Sequence, residues 1–132
     1  MKLEWHNERR KVNALIPWEG NPRRMTDKQA GDLRKSLERL NLMSIPVIDV
    51  DDRIVSGHMR LRTLAALGRG QEEIDVRVPN RKLTEAEYLE ANLRENKNLG
   101  EWDFDLLANF EEDLLVDVGF NAKELKRIFD VD

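Results

Sequence analysis

The apolar residues of this chain come in short runs divided by turn formers, and each run can be matched to a helical or a strand period. "VNALIP" (12–17) is an apolar run closed by Pro17 and predicts a strand. "WEGNPRRM" (18–25) follows as a loop, broken by Gly20, Asn21 and Pro22. Thr26 with Gln29 three residues on has the form of a capping box. Leu33, Leu37 and Leu40 give the helix it opens one apolar face, up to about Asn41. "SIPVIDV" (44–50) and "RIVSG" (53–57) read as the arms of a hairpin turning at Asp51-Asp52. From about His58 to Leu67, apolar positions at Leu61, Leu64 and Ala65 predict a helix that stops at Gly68. "IDVRVP" (74–79) alternates as a strand does.

A second capping box, Thr84 with Glu87, opens a helix over 83–98, and "LGEWDFD" (99–105) reads as a turn with aromatic anchors. "DLLANFEEDLLVDVGF" (105–120) predicts one acidic amphipathic helix, and Asn121 with Glu124 caps a last short one. His6 is expected in a mobile N-terminus. The expected architecture is α+β: a small mixed sheet with helices, followed by a short acidic helical tail. Residues 1–103 form the expected body and residues 104–132 the C-terminal appendage.

Composition narrows the chemistry. The chain has 132 residues, 40% hydrophobic and 36% charged, so a core is affordable beneath a heavily charged surface. It has no cysteine, which excludes a disulfide scaffold, a thiol nucleophile and any Cys-based metal site. Its two histidines, His6 and His58, lack metal-ligand spacing. No apolar run approaches the roughly 20 residues that cross a bilayer, and "MKLEWHNERR" lacks the apolar stretch of a signal peptide. A soluble cytoplasmic protein is therefore expected. Net charge is −4, unevenly spread. Residues 99–132 hold ten acidic and three basic side chains, a net of −7, against 19 basic and 16 acidic, a net of +3, in residues 1–98. That division suggests an anion-binding body and a tail that is solvating or docks a partner.

Chemistry concentrates at "IVSGHMRLRTLAALG" (54–68). A strand–glycine–helix junction exposes unpaired backbone N–H groups at a helix start, where an anion can bind. Gly57 permits close backbone approach. Arg60 and Arg62 oppose the helix dipole at that end but suit a phosphate, to which guanidinium groups donate charge-assisted hydrogen bonds. The alternative is a plain helix start with solvated arginines. "GNPRR" (20–24), with Arg23 and Arg24, is a second basic loop, and "RENKN" (94–98) ends a helix in polar residues, Glu95 and Asn96 among them. Each can equally be solvated surface. Trp5, Trp18 and Trp102 suit either packing or base stacking.

Taken in order, these pieces resemble the N-terminal domain of the ParB/sulfiredoxin-like superfamily, in the form found in ParB-like proteins of phages and mobile elements. "LIPWEGNPRRM" resembles the first strand and N-P-x-x-R-type loop, and "LRKSLERLNLMSIPVIDV" the helix and strand that follow. "IVSGHMRLRTLAALG" resembles the G-E-R-R-x-R-A motif or its G-H-x-R-x-x-A form, and "LTEAEYLEANLRENKNLGEWD" the helix ending in E-N-x-x-R. The resemblance covers roughly residues 12–103. It implies one pocket that binds a nucleoside triphosphate, CTP or ATP, with Mg²⁺. Arg23, Arg24, Gly57, His58, Arg60, Arg62 and Asn96 would hold the nucleotide and its phosphates, Glu95 the metal, and His58 and Glu95 any catalysis.

The chain departs from the motifs at three places: His58 stands for the family glutamate, Met59 for an arginine, and Leu99 for the terminal arginine of E-N-x-x-R. Sulfiredoxin's cysteine has no counterpart, which excludes its sulfenic-acid chemistry. The acidic tail would repel a phosphate backbone, so the tail is not expected to read DNA. The leading expectation is a nucleotide- or phosphate-binding module of a DNA-processing or partition-type system, with slow hydrolysis if it turns over. Its rivals are a ParB-like DNA nuclease and a non-catalytic adaptor for a DNA methyltransferase or another phage protein, docked through the tail. A homodimer is among the expected assemblies.

Overall fold

The computed structural model describes residues 2–20, 23–24, 26–96, 101–102, 107–108 and 110–129. In chain order the elements are β1 (Trp5–Lys11), a 3₁₀ turn (Val12–Ala14), β2 (Arg23–Arg24), α1 (Asp27–Leu40), β3 (Val47–Ile48), β4 (Ile54–Ser56), α2 (His58–Ala66), β5 (Glu73–Pro79), α3 (Glu85–Asn96), β6 (Glu101–Trp102), α4 (Glu112–Val118) and α5 (Ala122–Phe129). Four strands form a mixed sheet in the order β1-β5-β3-β4, and β2 pairs with β6 in a separate antiparallel ribbon. This is the expected α+β class.

Successive strand residues point to opposite faces, and each face finds its own cover. Ile48, Ile54, Ile74, Val76 and Val78 turn toward α1 and α2, where Leu37, Leu61 and Leu64 close one core. Val55, the residue between Ile54 and Ser56, joins Tyr88 of α3 on the other side. A third cluster joins Leu93 of α3 to Leu107, Phe110, Leu115, Phe120 and Ile128, so the acidic α4 and the basic α5 pack on α3 and on Trp18.

The capping boxes form as the sequence predicts. Thr26 and Gln29 exchange backbone and side-chain hydrogen bonds at α1, as do Thr84 and Glu87 at α3 and Asn121 and Glu124 at α5. The 44–57 hairpin also forms, turning through Asp52 at φ 71°.

Four expectations need correction. Residues 12–17 are no strand: the Val12 and Asn13 amides donate to the Glu72 and Gly70 carbonyls, and the backbone curls into the 3₁₀ turn. Only Ile16 keeps a ladder contact, to Arg53. His6 is not in a mobile segment but in β1, the sheet's edge strand, paired with β5 from Trp5↔Pro79 to Lys11↔Glu73. The 105–120 helix is shorter than predicted, because Glu111 is extended (φ −69°, ψ 139°) and α4 starts only after it. That break lets Leu107 and Phe110 both point into the core. The predicted turn at 99–105 lies mostly outside the described residues; its described part, Glu101–Trp102, is a strand.

Candidate functional site

The strand–glycine–helix junction forms, with Gly57 and His58 buried at the start of α2 and Met59 and Arg60 half-buried after them. Gly57 is the N-cap of α2 at φ 99°, ψ 12°, a left-handed conformation that favours glycine. A Cβ there would lie 3.1 Å from Pro46 Cβ, so the position is closed sterically as well as conformationally. Helices α1, α3 and α5 cap their first N–H groups with Thr or Asn side chains; α2 has no side-chain cap and no acidic residue in its first turn. The first backbone donors of a helix have no partner within the helix itself.

Helix α3 is fastened to β4 residue by residue. The Tyr88 hydroxyl donates to the Ile54 carbonyl, Asn92 Nδ2 to the Val55 carbonyl at 2.9 Å, and Ser56 Oγ to Glu95 Oε1 at 3.4 Å. Positions 88, 92 and 95 share one helix face, and their partners are consecutive along the strand. This ladder carries Glu95 to the residue that precedes Gly57. Arg53 lies over the Tyr88 ring at 3.6 Å and reaches Glu85 at 3.4 Å. Asp49, fully buried, accepts from the Leu83 and Val50 amides and from Lys82 Nζ, which pins the loop leading into α3 to the end of β3.

The first loop is tied in through Trp18. Its backbone N–H donates to His58 Nε2 at 3.2 Å, and its indole meets Tyr88 and Phe110 edge-on at 5.2 and 5.9 Å. Gly20 sits so close to that indole that a Cβ would lie 2.4 Å from it. Downstream, β2 places Arg23 opposite Trp102 and Arg24 opposite Glu101, beyond the end of α3. The side chains of Arg23, Arg24 and Asn96 lie outside the described part of the structure.

The expected site residues therefore fall into three groups. Gly57, His58 and Arg60 stand together at the tip of α2, and Glu95 is brought beside them by Ser56. Arg62 is further round α2, at a cavity of about 210 Å³ that it shares with His58, Leu15 and Ala65. Asn96 and the Arg23-Arg24 segment are placed only by their backbone. The base role expected of His58 meets a competing use, because the buried ring's Nε2 lone pair already accepts the Trp18 amide. Among the described residues, no three His, Asp or Glu side chains are grouped to hold a metal ion.

Charge pairing bears on α2 as well. Arg9, Arg10, Arg34, Arg53, Arg69, Arg81 and Arg94 each reach a carboxylate. Arg60 and Arg62 have no such partner among the described residues. The packing reading of Trp18 holds, while sequence reading missed Ser56 as the contact to Glu95, and Asp49. The Tyr-x₃-Asn-x₂-Glu spacing on one helix face was the available signal for the α3 ladder.

No protein-family model and no curated protein matches the chain. Solved structures do. The C222₁ form of a pNOB8-like ParB-N domain aligns with a TM-score of 0.62 at 15% identity, over 96% of this chain and 50% of that one. The C-terminally truncated chromosome-partitioning protein ParB from Caulobacter crescentus, complexed with CTP-γ-S, aligns with a TM-score of 0.60 at 17% identity, over 93% of this chain and 70% of that one. The same protein complexed to the centromeric parS site gives 0.58 at 16% identity, over 92% and 70%. The chain has the fold of ParB N-domains and spans half the length of the first of these neighbours.

Proposed function

We propose that this chain is a ParB-like module of a DNA-partition or DNA-processing system, and that it captures the phosphates of a nucleoside triphosphate at the start of α2. The observation that carries the reading is the uncapped left-handed Gly57 start with Arg60 and Arg62 unpaired among the described residues. Backbone N–H groups at the tip would donate to phosphate oxygens, and the two guanidinium groups would add charge-assisted bonds. The fold it shares with a ParB solved with CTP-γ-S supports CTP as the first nucleotide to test, with ATP beside it. The neighbour solved with parS supports DNA as a second ligand of the larger system.

Glu95 suits a supporting role toward Mg²⁺. It is exposed, stands next to the tip, and is a single carboxylate, which fits an ion held mainly by the nucleotide's own phosphates. Bound there, the ion would offset phosphate charge. His58 holds the first loop against the tip through Trp18, so its part is positioning. The reading is thus capture, with turnover slow if it occurs.

Isothermal titration with CTP, ATP, GTP and UTP, each with and without Mg²⁺, tests it. Binding of at least one nucleotide, weakened about tenfold or more in Arg60→Ala, is expected from losing a charge-assisted bond. No binding by any of the four, or binding indifferent to Arg60→Ala, refutes it. Divalent-dependent nicking of supercoiled DNA that disappears in Glu95→Ala would instead establish the nuclease alternative.

A further inference from the structure

A groove of about 430 Å³ runs between α3 and the outward face of the sheet, away from the α1–α2 core. Its floor is apolar: Trp5 of β1, Val47 of β3 and Ala91 of α3 are each half-buried against the Val55–Tyr88 cluster, and Ile45 is 41% exposed beside them. Into this floor rises Arg77, from the middle of β5, flanked in register by Val47 and Asn7. Its Nη1 donates to Asn7 Oδ1 at 2.9 Å, which orients the guanidinium without neutralising it. No carboxylate pairs with Arg77 among the described residues, whereas its neighbour on the same face, Arg9, is bound to Asp75. A half-buried cation in an apolar setting is costly unless an anion meets it.

We propose that this groove docks an acidic peptide: a segment of a partner protein that lays apolar side chains on Trp5, Val47 and Ala91 and gives a carboxylate to Arg77. Charge complementarity selects the occupant. A cation framed by apolar surface fits a carboxylate carried between apolar side chains, and aromatic and arginine residues are the side chains that dominate binding at such interfaces. A nucleic acid fits less well. Glu95 stands at one end of the groove, and the rim arginine, Arg94, is already held by Glu90 at 2.7 Å and by Asp117 of the acidic α4 at 3.0 Å. A phosphate chain, charged at every unit, would lie against those carboxylates, whereas a peptide need place only one carboxylate, on Arg77. Glu95 is shared with the α2 tip, whereas Trp5, Val47, Arg77 and Ala91 belong to the groove alone.

Fluorescence anisotropy with a labelled pentapeptide of alternating leucine and glutamate tests the proposal on the full chain. The peptide is expected to bind, and its glutamine analogue to bind at least about tenfold more weakly. Arg77→Gln, which keeps a donor for Asn7, is expected to lose the same factor. Ala91→Glu, on the surface of α3, places a carboxylate in the groove and is expected to compete in the same way, so the test stands should Arg77→Gln fail to fold. No binding at millimolar peptide, or binding unchanged in both variants, overturns the proposal. So does a decathymidylate that binds in an Arg77-dependent manner, which would make the occupant a nucleic acid. A dimer in sedimentation that Arg77→Gln dissolves would make it a second copy of this chain and overturn it too.

Discussion

Gly57→Ala is the substitution that most directly probes the α2 tip, and two separable costs follow from its geometry. The first is conformational. At φ 99° the residue lies in the left-handed region, where a Cβ costs about 1–2 kcal/mol. The second is steric: the new methyl would lie 3.1 Å from Pro46 Cβ and 3.4 Å from Pro46 Cα, and a proline ring cannot swing aside. Overpacking of that kind costs about 1–3 kcal/mol. Gly68→Ala isolates the first cost, because Gly68 has φ 80° but nothing within 4 Å of its Cβ position. The gain from a stiffer unfolded chain is common to both and cancels in the comparison. Urea denaturation followed by circular dichroism should therefore show Gly57→Ala less stable than Gly68→Ala by about 1–3 kcal/mol. Nucleotide titration should show weakened binding in the first variant only, because relieving the Pro46 contact shifts the backbone donors at the tip. Equal urea midpoints for the two variants would refute the packing argument. Equal nucleotide affinities would refute the claim that the tip's backbone holds phosphate.

Two further outcomes test the α3 attachment. The Arg81 guanidinium and the Thr84 amide hold the Glu87 carboxyl down at about 2, from an ordinary 4.5. Its contribution to stability is then fully present above about pH 4.5 and disappears as pH falls towards 2, so the difference in urea midpoint between wild type and Glu87→Gln should shrink across that window. A constant difference would refute the pairing. Burial pushes the Tyr88 phenol well above its usual range, so it stays a hydrogen-bond donor at any working pH. Tyr88→Phe should then cost about 1–3 kcal/mol in a thermal melt, because it strips the Ile54 carbonyl of that donor. An unchanged melting temperature would show that the bond contributes nothing.

Local signals in the sequence were informative where the physics is local. The Thr26, Thr84 and Asn121 capping boxes each involve two residues three apart, so side-chain chemistry alone specifies them, and all three form. The Gly57 junction is likewise legible, since a glycine between a β-branched run and a helical period has few other uses. What escaped depends on partners far along the chain. β1 reads as polar because, as an edge strand, it shows both faces as charge, and its strand character comes from pairing with residues about 70 positions away. "VNALIP" looks like a strand by composition, yet its amides find the Glu72 and Gly70 carbonyls instead of a ladder. His58 has the chemistry of a base in sequence, and only the fold reveals that the Trp18 amide takes its lone pair.

The net charge of −4 shows why totals mislead about anion binding. At physiological ionic strength a charge is screened over about 8 Å, so a phosphate near α2 responds to its immediate neighbours and little to the tail. Most of the body's arginines are spent on carboxylates a few ångströms away: Arg69 on Glu72 at 2.7 Å, Arg81 on Glu87 at 2.8 Å, Arg10 on Glu8 and Asp52 at 2.6 and 3.1 Å. Such pairs have little outward field. Among the described residues, the arginines without a carboxylate partner include Arg60 and Arg62 on α2 and Arg77 on the opposite face of the sheet, the ones on which the two proposed surfaces rest. An acidic chain can in this way keep unpaired cations at two places, on either side of Glu95, one proposed for phosphate and the other for a carboxylate set among apolar groups.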